Sequence, residues 1–391
     1  MLKLIKNGEV YAPNYLGKRD ILITGDKVGY ISDKIDKPES FPQMEVIDAE
    51  GKIVVPGFID SHVHICGGGG EGGFKTRTPE IQLTDITKAG VTTVIGCLGT
   101  DGTTRNMKNL LAKARGLEEE GISTYIYTGS YEIPVKTITG SIRDDIILID
   151  KIIGVGEIAL SDHRSSQPTV EDLAKVGAEA RVGGILSGKA GVVNVHMGDG
   201  QDMLRLLEEV VWKTEIPIGQ FYLTHMNRNR ELFKEAIKYG KEGGLVDFTT
   251  STTGRFLEDG ELKCSTALRI MLDNGVEINN ITFTSDGQGS LPNFDERGQF
   301  VGLQLGRVAS LYREVRDAVK NEGIDMSQAI RVITSNPADI LKLNQKGYIK
   351  EGKDADIVLL NQDDLEIDTV MAMGKIMVLK GEVKVKGTFE K

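Results

Sequence analysis

The chain of 391 residues is long enough to bury a large core and to fold as one large domain with a smaller one. Its net charge of -10 and its lack of lysine- or arginine-rich blocks disfavour a nucleic acid or an anionic membrane as partner. The 3 cysteines are far apart and form no C-x-x-C pair, so neither a disulfide framework nor a thiolate zinc site is indicated, and a reducing compartment fits. No apolar stretch suits a signal peptide or a membrane span, which predicts a cytoplasmic protein.

Short strands separated by turns are predicted at both ends of the chain. The first group lies at 1–5, 20–24, 27–32 and 45–48, and the second at 356–360, 367–373, 375–379 and 383–385. Neither group is long enough to close a core alone, so we expect the two to pair. This predicts a small composite β-sandwich domain made of residues 1–52 and 347–391.

Between these ends, short apolar runs alternate with amphipathic, helix-like segments. After one run that begins at residue 53, the others lie at 92–98, 123–130, 152–160, 192–198, 218–225, 245–251 and 281–287. Helices are predicted at 108–120, 170–182, 201–213 and 230–242, the second of them after a Thr169 cap. Eight β/α units in this length are what a TIM-like (β/α)8 barrel requires, so residues 53–346 are predicted to form the catalytic barrel of an α/β protein.

His62 and His64 are two residues apart at the end of the first apolar run, which we predict to be one buried strand. On a strand such a pair points to one face and offers two nitrogens to one ion, although an isolated pair is more often an ordinary feature of an exposed strand. His196, His225 and Asp286 stand at or near the ends of the fifth, sixth and eighth predicted strands. Because barrel strands converge at their carboxyl ends, this pattern predicts a shared metal centre.

Glu157 lies in the apolar fourth strand, where a carboxylate is costly unless it pairs or coordinates a cation. We interpret it as a further ligand; the alternative is a buried salt bridge to an arginine such as Arg164. Four imidazoles and two carboxylates suit two divalent ions such as zinc better than calcium or magnesium. The predicted chemistry is metal-assisted hydrolysis, in which activated water attacks a carbonyl and Asp286, as general base, takes the water proton.

Motifs along nearly the whole chain resemble those of the amidohydrolase superfamily of metal-dependent hydrolases. The general ones are PGFIDSHVH at 56–64, SNPA at 335–338 and GKDAD at 352–356. Narrower ones resemble the isoaspartyl dipeptidases, also called beta-aspartyl peptidases: GGGGE at 67–71, TITGS at 137–141, SDHRS at 161–165, THMNRN at 224–229 and SDGQGS at 285–290. The resemblance implies a metallo-dipeptidase that hydrolyses the β-aspartyl bond of dipeptides, with Tyr131 polarising the scissile carbonyl.

The resemblance also implies which residues would bind the dipeptide. Glu71 matches the partner of the substrate's ammonium group. Arg164 and Arg228 match the carboxylate binders, and arginine suits that role because its planar fork grips a carboxylate through two hydrogen bonds. Thr100 and Ser290 match positions that add hydroxyl hydrogen bonds.

The fourth strand departs from the family pattern. Better-known members place a carboxylated lysine there as the bridge between two metal ions, whereas the aligned residue here is Glu157. Lys151 precedes the centre of that strand and Lys189 precedes the fifth strand, so neither is an obvious substitute. We therefore expect two Zn2+ per subunit, bridged by the carboxylate of Glu157. His163 is expected to support a metal ligand from outside the coordination sphere or to have a structural role, rather than to bind metal directly.

The implied partner is a small dipeptide, and the resemblance also implies a homo-oligomer. Two other hypotheses stay open. One is another amide hydrolase of the same superfamily, either an N-acetyl-sugar deacetylase or a cyclic-amide hydrolase, which a Glu157 bridge permits. The other is a non-catalytic scaffold relative, whose mark would be lost ligands, yet all the candidate ligands are present.

Overall fold

A computed structural model of the chain describes residues 2–38, 43–295 and 299–391. The chain opens with β1 (Leu2–Tyr11), β2 (Tyr15–Thr24), β3 (Lys27–Ser32), β4 (Glu45–Asp48) and β5 (Lys52–Pro56). Apart from Met1, which lies outside the described residues, the strand predicted at 1–5 belongs to β1. β1 pairs antiparallel with β2 and parallel with β4 and β5, so it joins the other early strands.

The apolar run that begins at residue 53 divides into two strands in different sheets. β5 pairs with β1, whereas β6 (Phe58–Val63) opens the barrel. Gly57 lies at the crossing, where an added Cβ would be 2.3 Å from Thr92 Oγ1 and 2.9 Å from Asp356 Cβ. The prediction of one continuous strand is therefore wrong: three chain segments approach so closely at Gly57 that only glycine fits where the chain changes sheets.

Eight parallel strands form the central barrel. They are β6, β7 (Val91–Gly96), β8 (Ser123–Thr128), β9 (Ile152–Leu160), β10 (Val192–Met197), β11 (Phe221–Thr224), β12 (Leu245–Thr249) and β13 (Ile281–Thr284). Strands adjacent in sequence are adjacent in the sheet, and a parallel bridge between Val63 and Gly287 links the two ends. The predicted barrel is confirmed, and each apolar run from 92 onward overlaps one strand.

The described helices are short or of medium length. They are α1 (Leu83–Thr87), α2 (Met107–Glu120), α3 (Ile142–Leu148), α4 (Val170–Ser187), α5 (Arg205–Lys213), α6 (Arg230–Lys241), α7 (Gly254–Glu258), α8 (Cys264–Asp273), α9 (Ser310–Lys320), α10 (Met326–Ala329) and α11 (Ser335–Ile340), with 3-10 turns at Phe74–Thr76, Ile218–Gln220, Ile278–Asn280 and Ile330–Ile333. Thr169 caps α4 as predicted, since its hydroxyl accepts from the Asp172 amide at 3.3 Å. α5 begins at Arg205, four residues later than predicted.

The barrel interior is packed with side chains. Inward residues of successive strands, among them Ile59, Ile95, Tyr127 and Tyr222, form a buried cluster with Leu341 just after α11. A larger cluster lies between the outer face of the strands and the surrounding helices. Because one end of the barrel is filled in this way, the carboxyl ends of the strands are left to form the site.

The last strands return to the sheet that the first strands began. After the hairpin of β14 (Ser290–Phe294) and β15 (Phe300–Leu305) come β16 (Ile357–Asn361), β17 (Ile367–Ala372), β18 (Lys375–Leu379) and β19 (Glu382–Val383). β16 pairs antiparallel with β5, so both chain ends contribute to one sheet of nine strands with its own apolar core. The composite nature of this unit is as predicted. The limits at 52/53 and 346/347 stay a prediction, and the pairing of β5 favours placing the first limit at Gly57.

Within the described ranges, every helix falls short of the length and apolar character that a membrane crossing demands.

Candidate metal centre and active site

The six predicted metal ligands lie together at one rim of the barrel. They are His62 in β6, His64 just after it, Glu157 in β9, His196 in β10, His225 just after β11 and Asp286 two residues after β13. Parallel barrel strands all end at the same rim, so residues distant in sequence become neighbours there.

Glu157 lies at the centre of four imidazoles. Its Oε2 is 3.0 Å from His196 Nδ1, 3.4 Å from His62 Nε2 and 3.7 Å from His225 Nε2. Its Oε1 is 3.5 Å from His64 Nε2. Burial alone would raise the pKa of this carboxyl, but the imidazoles more than offset burial and hold its pKa well below the usual value. One ionised carboxylate thus faces both halves of the histidine set, as a bridging ligand must.

Hydrogen bonds on the far side of two rings determine which nitrogen faces the site. His62 Nδ1 lies 3.1 Å from Asn194 Oδ1, and since an amide oxygen only accepts, Nδ1 carries the hydrogen. His225 Nδ1 lies 2.5 Å from Thr249 Oγ1. In both rings Nε2 is therefore the nitrogen turned toward Glu157.

Asp286 adds a second carboxylate beside the first histidine pair. Its Oδ1 lies 3.0 Å from His64 Nε2 and 3.8 Å from His62 Nε2. Its backbone is left-handed, with φ 51°, a conformation that non-glycine residues adopt rarely and mostly at constrained sites. Burial raises the pKa of Asp286, but the neighbouring imidazoles, His64 first, lower it to about 2. The carboxylate is thus ionised and able to accept a proton.

The donor atoms of the cluster fit divalent metal ions. Two sets of ligand atoms each lie within 4.8 Å of one another: His62, His64, Cys97 and Glu157, and Glu157, His196 and His225. His62 Nε2 is buried and has no hydrogen-bond partner within the described part of the chain. A buried polar atom without a partner is costly, and a cation at this place would satisfy it. Imidazole, carboxylate and thiolate donors together suit zinc or a similar transition metal.

Cys97 is a neighbour of the cluster that sequence reasoning missed. It directly follows β7, is fully buried, and its Sγ lies 3.8 Å from His64 Nδ1. Burial raises the pKa of its thiol, but His62 and His64 more than offset burial and lower that pKa. Its position at the end of a barrel strand was the available signal. The C-x-x-C criterion detects ligands close in sequence, whereas a barrel gathers them from distant strands.

Asp162 connects a candidate metal ligand to a candidate substrate residue, a role that sequence reasoning also missed. Its Oδ2 lies 3.1 Å from His196 Nε2 and accepts from Arg164 Nη2 at 2.7 Å. The Tyr131 hydroxyl lies 2.9 Å from His196 Nδ1 and 3.3 Å from His196 Nε2. The Arg164 guanidinium lies over the Tyr131 ring, 5.3 Å from its centroid. The SDHRS motif was the signal, since it places Asp162 two residues before Arg164.

The two lysines considered as bridge candidates have other partners. Lys151 pairs with Glu118 and donates to the Thr124 carbonyl at 3.1 Å. Lys189 donates to two backbone carbonyls of the α3 region, both at 2.6 Å. Neither ammonium group is directed at the histidines, so Glu157 has no lysine competitor from this pair. His163, with a side chain 85% exposed, stands outside the cluster.

A cavity of about 500 Å³ opens over the cluster. It is lined by all the residues predicted to bind substrate: Glu71, Thr100, Arg164, Arg228 and Ser290. The Thr100 hydroxyl donates to Glu71 Oε1 at 3.0 Å, and Arg164 Nη1 lies 3.4 Å from the same oxygen. Among the described residues, the Arg228 guanidinium has no hydrogen bond or ion pair. Its charge is therefore available to an anion in the cavity.

A (β/α)8 barrel with histidines and carboxylates at these strand ends is typical of metal-dependent amidohydrolases. Sequence profiles of the amidohydrolase family match residues 45–106 and 224–377. A dihydroorotase of Staphylococcus epidermidis is 41% identical over 93 residues, which is 24% of this chain and 21% of that protein's length. An allantoinase of Enterococcus faecalis is 27% identical over 91% of this chain and 86% of its own length. The class of protein is thus defined by fold and profile together.

A solved structure narrows the class to one family. The beta-aspartyl dipeptidase of Fervidobacterium islandicum AW-1, in complex with the beta-Asp-Leu dipeptide, is 47% identical, with 100% of both chains covered and a TM-score of 0.90. This chain belongs to the beta-aspartyl dipeptidase family of the amidohydrolase superfamily, whose members are metal-dependent hydrolases of amide bonds. The resemblance noted in the sequence motifs is confirmed.

Proposed function

We propose that this protein hydrolyses β-aspartyl (isoaspartyl) dipeptides at a metal centre. The observation that carries the proposal is one cavity that joins the histidine–carboxylate cluster to Glu71, Arg164 and Arg228, in a chain that matches a beta-aspartyl dipeptidase over its whole length. Such a dipeptide carries one ammonium group and two carboxylates around its scissile bond. Glu71 offers one carboxylate, and Arg164 and Arg228 offer two guanidinium groups, which is the complementary set of charges. The carboxylates of Asp199, Asp259 and Glu261 also line the cavity.

Two Zn2+ ions per subunit are the proposed cofactors. The ligands would be His62, His64, His196, His225, Asp286 and, as the bridge, Glu157. Bound zinc would polarise the scissile carbonyl and lower the pKa of water. Glu157 supports the bridging role because its two oxygens already face imidazoles from both halves of the site. It would take the place of the carboxylated lysine of better-known relatives.

Asp286 is the proposed general base. Its carboxylate is ionised, lies beside the histidine pair and lines the cavity. It would take the proton of the attacking water and return a proton to the leaving amine, which the broken amide bond requires.

Tyr131 is the proposed donor to the scissile carbonyl. Burial, reinforced by the charge of Glu157, raises the pKa of its hydroxyl well above the usual value, so the hydroxyl keeps its proton at neutral pH. A protonated hydroxyl beside His196 can donate to the carbonyl oxygen and then to the oxyanion that develops from it.

The other residues of the cavity position the dipeptide. Glu71 would bind the α-ammonium group, helped by the Thr100 hydroxyl that already holds its Oε1. Arg228, which has no ion pair among the described residues, would grip one carboxylate through two hydrogen bonds. Arg164, whose Nε and Nη2 donate to Asp162, would bind the other carboxylate through Nη1. Ser290, which also lines the cavity, would add a hydroxyl hydrogen bond.

The test is release of free aspartate from β-Asp-Leu by zinc-loaded protein, with chelator-treated protein and α-Asp-Leu as comparisons. We expect chelator-sensitive turnover of the β-linked dipeptide only. Replacing Glu71 by Gln removes a charge-assisted contact and should raise KM by about 10- to 100-fold. The matched control is Glu80→Gln, which removes only an exposed pair with Lys113 at 3.4 Å and should leave KM unchanged.

Two outcomes would contradict the proposal. One is that no β-aspartyl dipeptide is hydrolysed in a chelator-sensitive way. The other is that hydantoins or N-acetylated sugars are turned over faster than any dipeptide, which would place the protein with the cyclic-amide hydrolases or deacetylases instead.

The proposed setting is a homo-oligomer in the cytoplasm with no nucleic-acid or membrane partner. The three cysteines are free and buried, which suits a reducing compartment. The large apolar side chains of Leu148, Leu186 and Trp212 are 71%, 67% and 83% exposed on neighbouring helices, which supports contacts between subunits. Sedimentation analysis of the purified protein would measure the assembly, and a monomer at micromolar concentration would contradict it.

A further inference from the structure

Cys97 occupies a position that core packing alone does not explain. It follows β7 directly, and its amide donates to the Val63 carbonyl at 3.0 Å, so the backbone of Cys97 is tied to the strand that carries the histidine pair. The residue is fully buried, with apolar barrel residues such as Ile95 and Tyr127 in its cluster. Its Sγ, however, is 3.8 Å from His64 Nδ1, at the polar end of that cluster.

The distances suit a shared ion. One ligand atom from each of His62, His64, Cys97 and Glu157 falls in a group whose members all lie within 4.8 Å of one another. A tetrahedral zinc ion with bonds of about 2.0–2.3 Å separates its ligand atoms by about 3.3–3.8 Å. Small side-chain movements would therefore bring all four donors onto one ion.

A second observation points to a ligand at the same place. His62 is fully buried, Asn194 holds its Nδ1, and its Nε2 has no hydrogen-bond partner within the described part of the chain. His62 belongs to the same group of potential metal ligands as Cys97. An orphaned imidazole nitrogen beside a thiol and a carboxylate is the arrangement expected of a metal site rather than of a packed core.

The other cysteines provide the comparison. Cys264 is buried too, but its thiol donates to the Thr249 carbonyl at 3.1 Å and is thereby satisfied within the protein. Cys66 is part of the large cluster between barrel and helices. Neither belongs to a group of potential metal ligands within the described residues. Cys97 alone of the three combines burial with imidazole and carboxylate neighbours.

We propose that Cys97 supplies a thiolate ligand to the metal ion that His62 and His64 bind, in addition to the carboxylate ligands proposed above. The proposal rests on the metal dependence proposed above and adds a ligand to it. Because thiolate is a soft donor, the site should select zinc or cobalt over magnesium, calcium or manganese.

X-ray absorption of the zinc-loaded wild-type protein tests the proposal without any mutation. We expect a sulfur scatterer at about 2.3 Å in addition to nitrogen and oxygen at about 2.0–2.1 Å. Cobalt-loaded protein should show a thiolate-to-cobalt charge-transfer band in the near ultraviolet. Metal-loaded protein with only nitrogen and oxygen scatterers and no such band would overturn the thiolate ligand and leave the proposed function standing.

Variants locate the sulfur. Cys97→Ser should lose both the sulfur scatterer and the charge-transfer band and bind one zinc equivalent at least about tenfold more weakly. Cys264→Ser, the matched control, should keep all three properties. Thermal unfolding of the metal-free proteins checks that Cys97→Ser is folded, and Cys97→Ala serves if it is not. A sulfur signal that persists in both Cys97 variants would overturn Cys97 as the source of the thiolate. Failure of the wild type to take up any metal would overturn both the Cys97 ligand and the proposed metal centre.

Discussion

Replacing Asp162 by Asn tests whether this carboxylate couples the metal centre to the substrate site. Oδ1 of Asp162 accepts from the backbone amide and from Nε of Arg164, at 2.8 and 2.9 Å. Oδ2 accepts from Arg164 Nη2 at 2.7 Å and faces His196 Nε2 at 3.1 Å. Asparagine has nearly the same shape and can keep the two Oδ1 contacts. Its amide nitrogen cannot accept, so the two Oδ2 contacts are lost.

The expected loss follows from what those two contacts hold. Partners that orient metal-binding histidines are each worth about 10- to 100-fold in metal affinity or activity. We therefore expect kcat/KM to fall by about 10- to 100-fold. A factor of ten corresponds to about 1.4 kcal/mol, so the loss of transition-state stabilisation is about 1.4–2.7 kcal/mol. The Arg164 side chain is 27% exposed, so solvent screens part of its ion pair with Asp162. The part of the loss that comes from releasing Arg164 should therefore lie in the lower half of that range.

Steady-state kinetics on β-Asp-Leu with parallel metal analysis makes the measurement. Release of His196 should lower kcat or zinc content, and release of Arg164 should raise KM. The matched control is Asp145→Asn, which removes a buried carboxylate that accepts from Thr128 and Thr139 hydroxyls, away from the cavity. That variant should lose stability but keep kcat/KM per bound metal. If Asp162→Asn keeps kcat/KM within twofold at full metal content, Asp162 does not position either residue.

Three further predictions concern residues around the same rim. Asp286→Asn should retain bound metal yet lose turnover by about 100-fold or more, as measured by kcat at saturating dipeptide, and a retained rate would place the proton acceptor elsewhere. Gly99→Ala should weaken metal binding, because the added Cβ would lie 3.0 Å from His64 Cε1. The control is Gly116→Ala on α2, where an added Cβ would have no neighbour within 4 Å and metal binding should not change. Equal zinc affinities of the two variants would refute the crowding argument. Burial raises the pKa of Asp247 to about 7 despite three threonine donors. Between about pH 4 and 7 the folded state therefore keeps a proton that the unfolded state loses. As pH rises through this range, the unfolding free energy of the metal-free wild type should fall by roughly 4 kcal/mol relative to that of Asp247→Asn. Denaturation curves at pH 5 and 8 that give the same difference between the two proteins would contradict this.

The barrel was predictable from the sequence because its signal is local. Each barrel strand is a short apolar run, each run is followed by a helix-like segment, and the repeat itself defines the fold class. The crossing at Gly57 was not predictable in the same way. Residues on both sides of it are apolar and β-branched, and their division between two sheets depends on β16, which lies some three hundred residues further along the chain.

Some residues of the candidate site could also be predicted from local sequence, and others could not. His62, His64, His196, His225 and Asp286 could be proposed from their places at strand ends, and Glu157 from the cost of a carboxylate in an apolar strand. The roles of Cys97 and Asp162 could not be assigned in the same way, because a strand end marks Cys97 and the SDHRS motif marks Asp162 without showing which side chains each one contacts. Their importance depends on distances to side chains from other strands.

The sequence by itself determined the order of the elements, the strand ends at which the ionisable residues stand, and the motifs of the family. Only the tertiary structure decided that Glu157 faces all four imidazoles, that Asn194 and Thr249 turn two rings toward it, and that a thiol joins the first histidine pair. The physical reason is that periodicity and composition describe a residue's own strand, whereas barrel closure sets the register between strands, and register decides which side chains meet.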